Sequence, residues 1–293
     1  MMEKLKKRLQ DGHAVDEKGY FESYRGNIFR GRMSIEFQDM FNAGSGDELH
    51  TKAEAVHSSS MLSYNFFHWI DVKHPFMWKG VKYTKVLFEV KMKTIQKSNA
   101  PANMDVVLIS KDKKHLLFIE SKFLEYTVKE AFSLSKGYED ENRWYNHAVD
   151  WIMLVKSVPK EDCKYMGGIK QLITHLFGIY GLMCKDGETI DYATKHCKEL
   201  KDITDLAAAK KEFVTVVFNP QERYDESKDY KDYERLFGKF RDVIKDVKGL
   251  ERVQPQWLTY SDMWKEMKEQ IKPKELRAFL WERYMRFAEG TEE

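Results

Sequence analysis

The sequence has little of what marks several large protein classes. Its 293 residues include three cysteines, and Cys163, Cys184 and Cys197 are odd in number with no CxxC pair. That excludes a disulfide framework and fits a reducing compartment. Cys184, His196 and Cys197 lack the fourth ligand and the short spacing of a zinc site, so buried free thiols are expected. No window approaches about eighteen apolar residues, and the opening MMEKLKKRLQDG has no apolar signal-peptide core. A soluble, cytoplasmic protein without a membrane span is expected. Gly167-Gly168 has neither dinucleotide-loop nor phosphate-loop spacing, and no Ser-His pairing suggests covalent catalysis. Lys+Arg 49 against Asp+Glu 47 leaves a net charge of +2, so any surface for a polyanion must be local.

The chain does have material for a core, with 42% hydrophobic and 14% aromatic residues. At this length those fractions bury one large domain. No internal repeat and no Pro/Gly/Ser-rich linker divides it. A single domain over 1–293 is expected, with a core at about 44–220, a leader at 1–43 and a helical extension at 221–293.

The most informative stretch is MDVVLISKDKKHLLFIESKFLEY, Met104 to Tyr126. Two apolar runs flank the polar turn SKDKKH, the pattern of a β-hairpin. A turn centred near Asp112 and Lys113 pairs Asp105 with Glu120, placing their Cβ atoms roughly 4.5–5.5 Å apart. Period-two alternation puts Glu120 and Lys122 on one face and Ser121 on the other. Like charges directly opposite destabilise a sheet. Either these groups are solvated at a strand end, or a divalent cation held by oxygen ligands offsets the repulsion. VKYTKVLFEVKMKT, Val81 to Thr94, reads as a long preceding strand, and a loop near Lys97 sets its Glu89 opposite Asp105. Three acids would then line up across three strands.

Around this meander the pattern is helical. In the leader Tyr20, Phe21, Tyr24, Phe29, Phe37 and Phe41 are interleaved with Arg25, Arg30 and Arg32. Their spacing favours packing onto the core over contact with a phosphate backbone. GSGDEL, with Glu48, leads into a helix through Ala53, Val56, Met61, Leu62, Phe66 and Trp69. Within it Ser58-Ser59-Ser60 either caps a second helix start or presents hydroxyls to a ligand. A further helix is expected around Trp144 to Lys156. KYMGGIKQLITHLFGIYGLM is a strong helix with Ile169, Leu172, Ile173, Leu176 and Tyr180 on its apolar face. Gln171 and His175 share a different face, for surface, capping or site use. EFVTVVFNP is a buried-type strand, and the chain from Gln221 onward reads helical, with Ser261 or Thr259 capping WLTYSDMWKEMKEQI.

Asp105, a hairpin, then Glu120-Ser121-Lys122 resembles the motif of the PD-(D/E)xK nuclease superfamily, with Met104 where that motif has proline. The segments GSGDEL, HSSSMLSYNFF, FEVK, PANMDVVL, IESKFLEY and GIKQLITHLFGIYGL resemble an uncharacterised prokaryotic branch of restriction endonucleases, from roughly Gly44 to Pro220. The resemblance implies an α/β fold with a mixed central sheet of order α-β-β-β-α-β, flanked by helices, with helical N- and C-terminal elaborations. It implies a Mg²⁺-dependent nuclease, with Mn²⁺ as substitute, that cleaves double-stranded DNA in restriction or defence and is compatible with a homodimer. Asp105 and Glu120 would hold the metal, with the main-chain carbonyl of Ser121 as a further ligand. Lys122 would orient water or stabilise charge, and Glu89 or Glu48 would supply the third acid. Gln171 would be a polar residue facing the site. A catalytically weak DNA-binding protein, or an exonuclease, repair or RNA-processing nuclease, are the alternatives.

Overall fold

A six-stranded mixed sheet is built outward from the hairpin. The computed structural model describes residues 4–44, 48–96, 101–128, 136–138, 140–143, 166–185, 187–247, 250–251 and 253–290. The strands β1 (Phe76–Trp78), β2 (Val81–Met92), β3 (Ala102–Ser110), β4 (His115–Lys122), β5 (Lys210–Val217) and β6 (Pro255–Thr259) lie in chain order across the sheet. β1 to β4 are an antiparallel meander, and β5 and β6 join β4 in parallel. Parallel pairing needs a crossover, and helices precede both β5 and β6. Phe213, Val214, Val216 and Val217 on β5 are all fully buried, as a strand covered on both faces demands.

The longer described helices are α1 (Lys4–Gln10), α2 (Ile35–Ala43), α3 (Ser59–Phe67), α4 (Met166–Met183), α5 (Gly187–His196), α6 (Glu226–Lys245), α7 (Tyr260–Met267) and α8 (Lys274–Leu280), with shorter turns between some of them and a helical continuation of α8 through Trp281–Met285 and Arg286–Ala288. The sheet separates two cores. Leu117 and Ile119 of β4 face one, with Phe66 of α3, Trp264 of α7, Leu280 of α8 and the leader's Leu5, Phe21, Tyr24 and Phe41. Leu116 and Phe118 face the other, with Leu172 and Leu176 of α4, Ala193 of α5 and Phe237 of α6. The leader's aromatic spacing thus marks packing: Phe21, Tyr24 and Phe41 are buried, while Tyr20 stays 37% exposed.

Several boundaries differ from the sequence expectation, each for a local reason. No helix starts directly after GSGDEL; Glu48–His50 and Lys52–Glu54 are 3-10 turns, and α3 begins only at Ser59. Ser58 Oγ accepts the Met61 N–H at 3.3 Å, so the serine run starts a helix rather than continuing one. Ser58→Ala should lower stability by about 1 kcal/mol, measured as a shifted urea midpoint with an unchanged slope.

Trp257, Leu258 and Thr259 are not helical but form the end of β6, pairing in parallel with β5. Thr259 closes a capping box with Asp262 and starts α7. β1 and α5 had no expectation. Cys184 and Cys197 are half-buried rather than buried. Cys163 and the helix expected around 144–156 lie outside the described residues. Among the described residues no helix is long and apolar enough to cross a membrane.

Candidate active site

Strand register brings the acids together. The pairs Phe88↔Val106 and Val90↔Met104 bracket Glu89 and Asp105, and the β3–β4 ladder from Ile109↔Leu116 to Val106↔Ile119 sets Asp105 against Glu120 one step further on. There the backbone ladder gives way: Asp105 Oδ2 accepts the Ser121 N–H at 2.6 Å. Ser121 turns its hydroxyl to the opposite face, where Oγ meets Tyr260 OH at 2.7 Å and donates to Ser59 O at 3.2 Å. Its main chain stays beside Asp105, as the alternation requires.

Glu89 sits in the left-handed region, with φ 51. For a side chain with a Cβ this costs roughly 1–2 kcal/mol, a strain that tends to collect at functional sites. The facing of β2 slips there: Leu87 and Val90 both face the α4 core, with Phe88 on the other side. Gly44, at the end of α2, lies against the displaced carboxylate; a Cβ there would touch Glu89 Oε2 at 3.4 Å and crowd Phe41 O at 2.9 Å. Asn103 Nδ2 donates to that oxygen at 3.2 Å. Glu48 lies beyond Glu89 on its 3-10 turn, buried, and accepts the Ser60 hydroxyl at 2.5 Å with Lys52 Nζ at 3.3 Å. Within the serine run, then, Ser58 caps α3 and the Ser60 hydroxyl is taken up by the Glu48 side chain.

The fourth strand carries the cation. Lys122 is buried, and its Nζ donates to Glu120 Oε1 and to Gln171 Oε1, each at 2.5 Å. Gln171 is exposed on the first turns of α4; one turn later His175, 1% exposed, brings Nδ1 to 2.9 Å from Glu120 Oε2. Neither of those two buried atoms has an aligned hydrogen-bond partner. The structure thus gathers Glu89, Asp105, Glu120, Ser121, Lys122, Gln171 and Glu48 at one end of the meander. It adds His175, Ser60 and Asn103, which the sequence motif does not include. For His175 the available signal was its spacing of four from Gln171.

The electrostatics are uneven along the acid row. Burial, then the neighbouring Glu48 and Glu120 charges, push the Glu89 carboxyl up to about 8. Burial and Glu120 raise Asp105 well above the ordinary aspartate value, although part of its surface stays accessible. Burial would raise Glu120 too, but Lys122 and His175 outweigh it and hold Glu120 at about 2. Burial would lower Lys122; Glu120, Glu125 and Asp105 reverse this and raise it, so its side chain is a firm ammonium. One anion is matched, and two carboxyls are held toward their neutral form by burial and by their acidic neighbours.

Over residues 6–285 the sequence matches the family described as Restriction Endonuclease associating with ARP. The chain belongs to that family. No curated protein and no solved structure matches it. Membership of a restriction endonuclease family implies a nuclease acting on DNA, and the match takes in α1 and the C-terminal helices as well as the strands. The donor set suits a hard cation. It is all oxygen, Glu120 Oε2 is buried without an aligned hydrogen bond, and Asp105 and Glu89 are raised by burial and then by neighbouring carboxylates, both of which a divalent charge offsets. Among the described residues no group of three or more His, Cys, Asp or Glu is already drawn around one point. In this family member the carboxylates are therefore engaged by Lys122, Ser121, Asn103 and Ser60 rather than preset as a cage.

Proposed function

We propose that this chain is a Mg²⁺-dependent endonuclease of the PD-(D/E)xK type, with Mn²⁺ as substitute, that hydrolyses double-stranded DNA in restriction or defence. With β1 inserted before β2 and α5 after α4, the order α3, β2, β3, β4, α4, β5 supports a restriction-endonuclease-like core, with the acids on its three meander strands. One observation carries the reading: a row of carboxyls in register on β2, β3 and β4 ends at a buried ammonium, Lys122, locked to Glu120 and Gln171. Asp105 and Glu120 are the metal ligands, joined by the main-chain carbonyl of Ser121. Glu89 takes the place of the third acid, and Glu48 stands behind it. A bound divalent ion lowers the pKa of its water and acts as a Lewis acid on the phosphoryl oxygen.

The chain's own groups have separate tasks. Lys122 is charged and cannot abstract a proton; it orients water and stabilises charge on the phosphoryl oxygens. Gln171 fixes the ammonium from α4, and His175 stands 2.9 Å from the second oxygen of Glu120. The family description names ARP, and we extend that association to this chain as its partner.

The test is cleavage of supercoiled and linear double-stranded DNA with Mg²⁺, Mn²⁺ or EDTA, alongside Asp105→Asn. Wild type should cut only with metal, and Asp105→Asn should lose about a hundredfold or more in rate. Equal cutting by both proteins would sink the site. Metal-independent DNA binding without cutting would support the binding-protein alternative, and cutting confined to RNA the processing one.

A further inference from the structure

Helix α1 is short, basic and clamped. Its Leu5 and Leu9 are buried in the core, while Lys6, Lys7 and Arg8 face outward. A helix of this length does not hold itself together in water. Here the Leu5 and Lys6 N–H groups, first-turn donors with no intrahelical acceptor, donate to Glu226 Oε1 of α6 at 3.0 and 3.3 Å. Glu226 is 1% exposed, so a buried carboxylate fixes the helix and its cations in place.

Clefts lie on both sides of α1. On one side, a cleft of about 220 Å³ has Lys6, Lys52 and His57 on its walls, with Glu125 an acid among them, and reaches Glu48 and Ser60, the outer edge of the acid row. On the other, a wider cleft of about 740 Å³ is lined by Lys7, Arg8, Arg223 and Arg286, with Asp11 the acid among them. The Arg223 guanidinium lies over Tyr224 at 5.1 Å and that of Arg286 over Phe287 at 4.7 Å, which holds both groups flat. Arg8 pairs with Asp11 at 3.2 Å and Arg286 with Glu282 at 3.1 Å, both in solvent where such pairs exchange cheaply. Lys6, Lys7 and Arg223 have no acid within ion-pair distance among the described residues.

From this placement we infer that Lys6, Lys7, Arg8, Arg223 and Arg286 form a track for the phosphodiester backbone of the DNA, leading from the acid row across α1 into the wider cleft. The inference rests on the nuclease reading and specifies where its substrate lies. In a chain of net charge +2, unpaired cations drawn from α1 and the segment after β5 converge on one strip. Lysine and arginine on phosphate oxygens fix position without reading sequence. An acidic protein face is the competing polyanion. A strip that begins at the acid row favours the strand that must pass through that row.

The test uses Lys7→Gln/Arg223→Gln, both exposed, and fluorescence anisotropy of a thirty-base-pair duplex in EDTA. Each phosphate contact contributes about 0.9 to the slope of log K against log salt. The double variant should lose about two from that slope and bind roughly tenfold more weakly, equally for unrelated sequences. The control is Lys111→Gln/Lys114→Gln in the hairpin turn, at the far end of β3 and β4 from Glu120. An unchanged slope in Lys7→Gln/Arg223→Gln, or an equal drop in the turn control, overturns the track. Metal-dependent cutting by wild type with no effect of Lys7→Gln/Arg223→Gln refutes the track alone. A wild type that neither binds nor cuts DNA refutes track and nuclease together.

Discussion

Lys122→Met should slow DNA cleavage by about 10²–10³ and also cost about 3–5 kcal/mol of stability, because it leaves Glu120 charged and buried without its ammonium. His175 stays 2.9 Å from the other oxygen but lacks hydrogen-bond alignment, and compensates only in part. Adding Glu120→Gln separates fold from chemistry. With both charges gone the buried penalty disappears, so Glu120→Gln/Lys122→Met should recover most of the denaturation midpoint lost by the single variant. Cleavage should not return, since the ligand oxygen and the cation that stabilises developing charge are both missing; a loss of about 10²–10³ in rate is expected from the cation alone. Chemical denaturation and single-turnover cleavage on the three proteins give the answer. If Lys122→Met cuts within a few-fold of wild type, the ammonium is structural, and the assignment of Lys122 to the reaction is wrong.

The part of this site that the sequence displays is the part governed by strand periodicity. Asp105, Glu120 and Lys122 follow from a hairpin whose turn fixes the register, and the β3–β4 pairs run as that turn requires. Glu89 opposite Asp105 follows in the same way from the preceding loop. What periodicity does not carry is the left-handed backbone of Glu89, which displaces its carboxylate toward Gly44 and Glu48, because an isolated φ change in a strand leaves no pattern in residue types. Nor does it carry the choice of helix face that meets the sheet. Gln171 and His175 both read as polar positions off the apolar stripe of α4, and only packing against β4 turns them onto Lys122 and Glu120. β6 went unseen for a different reason: Trp257, Leu258 and Thr259 run without a break into the capped α7, so the strand lacks its own end signal.

Glu89→Gln should make the metal-free protein more stable, and by more as pH rises. The ordinary glutamate value is 4.5, and in the fold Glu89 is raised to about 8 by burial and by Glu48 and Glu120. Between those values the unfolded chain has released the proton and the folded chain has kept it, so wild-type stability falls as pH climbs through this window and levels off above about 8. Glutamine does not titrate and removes that fall. At about 1.4 kcal/mol per pKa unit the gain is bounded at a few kcal/mol, with Asp105, raised in the same direction, retaining part of the slope in both proteins. Saturating Mg²⁺ or Mn²⁺ should narrow or invert the difference, because ligand binding stabilises the form with the carboxylate more than the form without it. Thermal midpoints from pH 5 to 9, with EDTA and with metal, test both halves. A wild type and Glu89→Gln that run parallel across this range would show that the repulsion along the acid row is not held in the fold. Equal stabilisation of the two by metal would place Glu89 outside the ligand set and leave Glu48, one step further along the row, as the third acid.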